Sequence, residues 1–357
     1  MQGEVTVADM HAPHKETPVA RPNLERIKHV LTGGSVVDWP SLPMATVGDA
    51  DAFLRVNGFE PQDPMDQARI RTLRDRAADY LRLEHRYRLP PEVLTGDPRD
   101  LFLYAAGIKG RRGTRSFACI MLKTINVIHH LEARELGQHL PLSQSEVAGM
   151  LEAKVSNCVK QMRQDGFRIV DFSGGLKTRA STITKLLAKK DTHSATVHDR
   201  MRFRLVVETP GDLPLVVDAL TQRLFPFNFT VPGQSKNDLI DLKQLAEALG
   251  TDPNAKLPED EDVPPVNEFS GATYKVINVV ADMPLRVPPA ILAQRTQAED
   301  LGPVIFALCE MQLVDAATAR RNELGENNHE EYKNRQKARV RARLEQGELG
   351  RHRDPKD

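Results

Sequence analysis

Two hydrophobic rhythms divide the chain. Over the first 165 residues the apolar positions recur three and four apart, the repeat of one helix face. Asn23 to Leu31 reads as a short helix stopped at Gly33-Gly34. Phe53, Leu54, Ile70, Leu73, Ala77 and Leu81 predict helix from Asp49 to Tyr87, ended by Pro90-Pro91. Asp97-Pro98 precedes another helix through Leu101, Leu103 and Ala106. A basic loop, Lys109 to Arg115, leads into a third with Phe117, Ile120, Met121, Ile125 and Ile128. Ser143-Gln144-Ser145-Glu146 is a capping box opening a long helix to Gln164.

After residue 165 the period shortens to two. Met201, Phe203, Leu205 and Val207 alternate with Arg200, Arg202 and Arg204, the signature of a half-buried strand. Further strands are predicted at Phe167–Val170, Phe225–Val231, Thr273–Val280 and Val304–Val314. Helices are predicted at Thr182–Lys190, Leu213–Leu224 and Leu242–Leu249, with an acidic, proline-rich loop at Asn254–Pro265. A basic helix spans Tyr332–Leu349. Helices followed by mixed strands and helices predict an α+β fold, a mixed β-sheet flanked by helices with an all-helical N-terminal region. The expected division is a disordered 1–22, a helical domain 23–165, a core 166–333 and a basic tail 334–357.

Composition narrows the class. The 357 residues carry 49 basic and 49 acidic side chains, so global charge selects no partner. Three cysteines without metal-ligand spacing suit a reducing compartment. The polar start lacks the apolar core of a secretory signal, and no apolar run approaches the roughly 20 residues of a membrane helix. A cytoplasmic location without a membrane partner is expected.

Three stretches carry the chemistry. Lys177, Arg179 and Lys185 surround a predicted helix start, where anions are welcome and cations are not, so a bound phosphate is the economical explanation. Asp199 stands at the mouth of the strand bearing Arg202 and Arg204. Glu310 and Gln312 share one face of a later strand with Phe306 and Leu308. A carboxylate in that setting needs a cation, and Mg²⁺ shared with Asp199 would supply it. Two strand-borne acids beside Lys and Arg are what metal-assisted phosphoryl transfer requires. His198-Asp199 also matches the HD pair of metal phosphohydrolases. Those pairs lie on helices with further ligands, and this one opens a strand.

The ordered set resembles the synthetase domain of the RelA/SpoT family over about residues 167–333. Glu310-Met311-Gln312-Leu313 is similar to its Glu-Val-Gln-Ile motif, and His329-Glu330-Glu331-Tyr332-Lys333 to its His-x-x-Tyr-Lys ending. Lys177 and Ser181 fall in an Arg-x-Lys-x-x-x-Ser pattern followed by a further Lys, here Lys185, with Gly175 at the position of the Arg. Tyr274 and Asn278 take the first and last places of Tyr-x-Ser-Leu-His, with Val276 where the Ser stands.

The resemblance implies a Mg²⁺-dependent transferase that binds ATP and moves pyrophosphate to the 3′-hydroxyl of GDP or GTP, making (p)ppGpp as in the stringent response. It implies Asp199 and Glu310 as catalytic metal ligands. Lys177, Arg179, Lys185, Arg202 and Arg204 would bind phosphate, Tyr274, Asn278 and Gln312 the acceptor, and His329 closes the motif set. The basic tail keeps the tRNA 3′ end open as an acceptor. A catalytically decayed nucleotide- or RNA-binding module is the other alternative, and a homo-oligomer is compatible with either.

Overall fold

The computed structural model describes residues 22–32, 44–188, 201–251, 273–296, 300–324 and 329–345. Seven helices come first: α1 (Leu24–Thr32), α2 (Val47–Val56), α3 (Pro64–Leu83), α4 (Pro91–Leu94), α5 (Asp100–Ala106), α6 (Arg112–His139) and α7 (Gln144–Gln164). Strands follow: β1 (Ile169–Leu176), β2 (Met201–Val207), β3 (Lys236–Asn237), β4 (Ile277–Arg286) and β5 (Val304–Asp315). Between and after them lie α8 (Arg179–Ala188), α9 (Asp212–Arg223), α10 (Leu242–Ala248), α11 (Pro289–Leu292), α12 (Ala316–Asn322) and α13 (His329–Leu344). The strands form one mixed sheet in the order β1-β2-β5-β4-β3, with β2 and β5 parallel and the other pairs antiparallel. The α+β expectation holds.

Several boundaries differ from the periodic reading, each for a local reason. The single helix expected over 49–87 is two. Gly58 takes φ +90°, and Asp63 caps a new helix at Pro64 by accepting from the Met65 amide at 2.7 Å. α6 begins inside the expected basic loop, just after Gly110 turns the chain at φ +81°. The strand expected over Phe225–Val231 is a 3₁₀ turn, Phe227–Phe229, following Pro226. β1 runs to Leu176, well past the expected Val170. As an edge strand with mostly exposed residues, it shows little alternation.

β4 begins at Ile277 rather than Thr273. The Asn322 side chain takes both backbone groups of Lys275, accepting from its N–H at 3.2 Å and donating to its C=O at 2.7 Å. β4 then runs through Pro284, whose missing N–H costs nothing on the side without a neighbouring strand. The capping box at Ser143 forms as read, with reciprocal bonds to Glu146. The acidic loop 254–265 lies outside the described residues.

One face of the sheet is apolar across its middle, with Asn237 and Asp315 at strand ends. Phe203, Leu205 and Val207 of β2, Cys309, Met311 and Leu313 of β5, and Ile277, Val279 and Ala281 of β4 are all buried there. They share one hydrophobic cluster with Leu151 and Val155 of α7 and with Leu213 and Leu220 of α9. The same cluster runs on through Ile27, Leu73 and Met121 of the first helices. Each fully buried side chain of this size contributes about 1.5–3 kcal/mol. Ionic clasps fix the helices to one another. Glu132 of α6 bonds both Arg69 and Arg76 of α3. Arg69 also donates to the carbonyls of Asp300 and Leu301, at 2.9 Å each, on the approach to β5. Arg26 of α1 bonds Asp218 of α9 at 2.8 Å.

Candidate active site

The opposite face of the same strands breaks the apolar rule. Parallel pairing sets Arg202 against Glu310 and Arg204 against Gln312. Antiparallel pairing sets Gln312 against Asn278, and Asn278 against Lys236. On the outer side, Arg202 faces Gly175 and Arg204 faces Ser173 of β1. Register neighbours share a face, so these residues form a polar strip crossing all five strands. An apolar patch bounds it at one end, and an aromatic patch beside the Asp282–His130 pair at the other. Val206 and Val314 pack beneath Ala319 of α12. Toward the other end, Phe306 packs against Phe229 and against His129 and His130 of α6.

Glu310 is the centre of the strip. It is buried, yet both carboxylate oxygens are engaged. Arg202 Nε donates to Oε2 at 2.9 Å, and Gln312 Nε2 donates to Oε1 at 2.9 Å. A buried carboxylate without such partners would cost several kcal/mol. A guanidinium thus stands beside Glu310 and balances its charge. Arg204 remains partly exposed, and its one ion pair among the described residues is a 4.0 Å approach to Glu323. Asn278 presents a buried Oδ1 with no hydrogen-bond partner among the described residues.

β2 and β5 are adjacent, as the pairing of two strand-borne acids demands, but Asp199 lies outside the described residues. His329 lies in α13, and its side chain is outside the described set. Tyr274 is half-buried and precedes β4, so it belongs to the approach to the strand rather than to its face.

The basic trio is spread more widely than expected. α8 opens three residues early because Thr178 caps it, its Oγ1 accepting from the Ser181 amide at 3.3 Å. Lys177 therefore precedes the helix, Arg179 starts it, and Lys185 sits in its last turn. Gly175, at the place of the motif's Arg, holds φ +147°, a conformation an arginine rarely adopts. Its neighbour Gly174 is required for a different reason. A Cβ there would approach Arg202 O and Phe203 Cδ1 to 2.5 Å.

α13 packs against α8, and Arg343 donates to the Leu187 carbonyl. The basic helix thus lies beside the segment carrying Arg179 and Lys185.

Sequence reasoning left Lys236 and Ser173 out of the site. Lys236 occupies a two-residue strand and bonds Asp238 at 2.7 Å, and so short a segment has no periodicity to read. No group of three or more His, Cys, Asp or Glu able to hold a metal occurs among the described residues. Mg²⁺ needs only one or two carboxylates when phosphates complete its shell, and the hard oxygens of Glu310 meet that requirement. No described helix is long and apolar enough to cross a membrane.

No protein-family model matches the sequence, and no curated protein matches it. Solved structures similar to the chain include small alarmone synthetase 1 from Bacillus subtilis, at 15% identity and a TM-score of 0.31, covering 56% of this chain and 86% of that one. Another is a GTP pyrophosphokinase family protein from Streptococcus pneumoniae, at 16% identity and a TM-score of 0.30, covering 56% and 83%. Small alarmone synthetase 2 from Bacillus subtilis is similar at 15% identity and a TM-score of 0.29, covering 57% and 93%.

Proposed function

We propose that the chain is a Mg²⁺-dependent nucleotide pyrophosphokinase, transferring pyrophosphate from ATP to the 3′-hydroxyl of GDP or GTP. The observation that carries this reading is Glu310, a buried carboxylate at the middle of a polar strip on the sheet face opposite the apolar core. A strand buried on both faces would keep the strip apolar, since each charge in it costs desolvation.

In the reaction, the ribose 3′-oxygen bonds to the β-phosphorus of ATP as the bond from that phosphorus to the α–β bridging oxygen breaks. AMP leaves with that oxygen, and the hydroxyl proton passes to water. Glu310, with Asp199, would hold Mg²⁺, which supplies charge neutralisation and alignment of the phosphates. Gln312 orients the Glu310 carboxylate from one side. Arg202 balances its charge until substrate arrives. Arg204, Lys177, Arg179 and Lys185 neutralise the phosphates. Asn278 offers an acceptor oxygen to the N–H groups of the acceptor base, and Tyr274 stacks on it.

Two features favour a second reading, a nucleotide-binding module that no longer turns over. Gly175 replaces the motif's arginine with a backbone that disfavours one, and Glu310 already has two partners. The α13 cations beside α8 keep the tRNA 3′ end as an alternative acceptor.

The deciding experiment incubates the full chain with γ-labelled ATP, Mg²⁺ and one of GDP, GTP, ATP or tRNA. Label moving to GDP or GTP, with AMP released in equal amount, supports the proposal. Label on tRNA alone replaces the acceptor. ATP binding without any transfer supports the inactive module.

A further inference from the structure

Away from the sheet, α2, α3 and the turn before α5 enclose a cleft of about 300 Å³. That volume lies at the lower end of small-molecule sites. Leu54, Pro61, Ile70 and Pro98 form apolar walls, and Arg71 and Arg99 are its cations. A Cβ placed at Gly96 would meet nothing within 4 Å, so the cleft is open above that backbone. The wall itself is held, because Arg74 donates to the Gly96 carbonyl at 3.0 Å.

The two cations differ. Arg99 forks onto Asp97, with Nε and Nη2 at 2.9 and 2.6 Å from Oδ2, and also reaches Asp51 at 3.4 Å. Its charge is answered. Arg71 is exposed on α3 and has no hydrogen-bond or ionic partner among the described residues. The cleft thus offers one uncommitted guanidinium beside apolar walls, with two carboxylates fixed nearby.

Behind Leu54, Ile70 and Pro98 lies a second chamber of about 30 Å³, room for one water. Asn57, Asn126 and His129 stand on its far side. Burial pushes His129 down to about 3, so its ring is neutral at pH 7. Neither ring nitrogen has a hydrogen-bond partner of good geometry among the described residues, the Asn57 backbone giving only a weak contact. The inner wall of the cleft is therefore backed by polar groups that a water would satisfy.

We propose that this cleft is a second ligand site, separate from the sheet, for an organic monocarboxylate with a flat apolar body. A carboxylate matches the fork of Arg71 with two parallel hydrogen bonds. One uncommitted cation answers one negative charge. A nucleoside di- or triphosphate would bring more charge than Arg71 balances and set it against Asp97 and Asp51. A ring lies against Leu54, Ile70 and the two prolines without burying a polar group.

The test titrates the full chain with indole-3-carboxylate, and separately with neutral indole, phenyl phosphate and ATP, by calorimetry and ligand-observed NMR. A ligand of this size at ordinary efficiency binds in about the millimolar range. The expected result is saturable one-to-one binding of the carboxylate, with indole and Arg71→Ala each weakening it about tenfold. Arg71→Glu abolishes it, and ATP leaves it in place. Arg71 makes no hydrogen bond or ion pair among the described residues, so both variants retain the wild-type melting temperature, which is measured alongside. Absence of saturation at roughly 20 mM, full affinity in Arg71→Ala, displacement by ATP, or tighter binding of phenyl phosphate would each overturn the proposal.

Discussion

Phe203 and Arg202 are one residue apart, as are Met311 and Glu310, yet each pair faces two different environments. On one side of β2 and β5 the residues are apolar and buried up to Val207 and Leu313, with Asp315 following at the strand end. On the other, the same two strands present Arg202, Arg204, Glu310 and Gln312. Backbone and pairing are identical for both faces, so the difference is entirely in the side chains. The apolar face holds the sheet to α7 and α9. The polar strip contributes little to cohesion and must keep its own charges balanced, as the Arg202–Glu310–Gln312 network does. A face that breaks the hydrophobic pattern at a cost in desolvation is where the chemistry is expected.

That contrast can be broken by mutation. Truncating the apolar side with Phe203→Ala removes a fully buried ring stacked on Phe172 at 6.0 Å between centroids. It should destabilise the fold by about 3–5 kcal/mol in urea unfolding. A loss under 1 kcal/mol would mean that face is not the cohesive one. On the polar side, Arg202→Met leaves the buried Glu310 with Gln312 as its one remaining partner among the described residues. Because Arg202 is a third exposed, the cost should be smaller, about 1–3 kcal/mol. Restoration of stability by adding Glu310→Gln would confirm that an unbalanced charge was the cause.

Lys154 of α7 sharpens the comparison from beneath the sheet. Its ammonium donates to the Pro284 carbonyl at 2.6 Å, and burial lowers it from 10.5 to about 8. Between those two values the unfolded chain holds more proton than the folded one. Stability should therefore rise with pH across that window and be level above it, the full penalty applying below pH 8. Lys154→Met should abolish the slope and gain on the order of 1–2 kcal/mol at neutral pH, the partly exposed stem moderating the effect. An unchanged slope in the variant would assign the pH dependence elsewhere. The smallest effect is expected far from the strip. Arg339→Ala on the exposed side of α13 should alter stability by less than about 0.5 kcal/mol. It should leave KM for a free nucleotide acceptor unchanged, and a large rise in KM for tRNA alone would favour the RNA acceptor.

Strong periodicity made much of this legible. The alternation in β2 and β5, the capping box before α7 and the placement of Glu310 with Gln312 on one face all follow from side-chain period alone. Pairing did not. That Arg202 lies beside Glu310 depends on the register of two strands about a hundred residues apart, which no local pattern encodes. β3 was too short to show a period, β4 was shifted by the distant side chain of Asn322, and β1 was obscured by its exposed edge. The cleft beside Arg71 was equally hidden, since Leu54, Ile70 and Pro98 come from three separate segments. Lys177, Arg179 and Lys185 were found by type, but only Thr178, as the true cap, shows how they spread along α8.

The central claim is that Glu310 is retained for chemistry and not for cohesion. Its most direct test compares wild type and Glu310→Gln in one experiment, reading label transfer from γ-labelled ATP to GDP or GTP together with thermal unfolding. The glutamine keeps the shape, accepts from Arg202 through its Oε1 and donates to Gln312 once that amide turns over, but loses the charge a hard cation needs. The account predicts transfer by the wild type, a loss of at least about a thousandfold in the variant, and melting temperatures within a few degrees of each other. Equal transfer in both proteins, or a variant that fails to fold while the wild type transfers nothing, would contradict it.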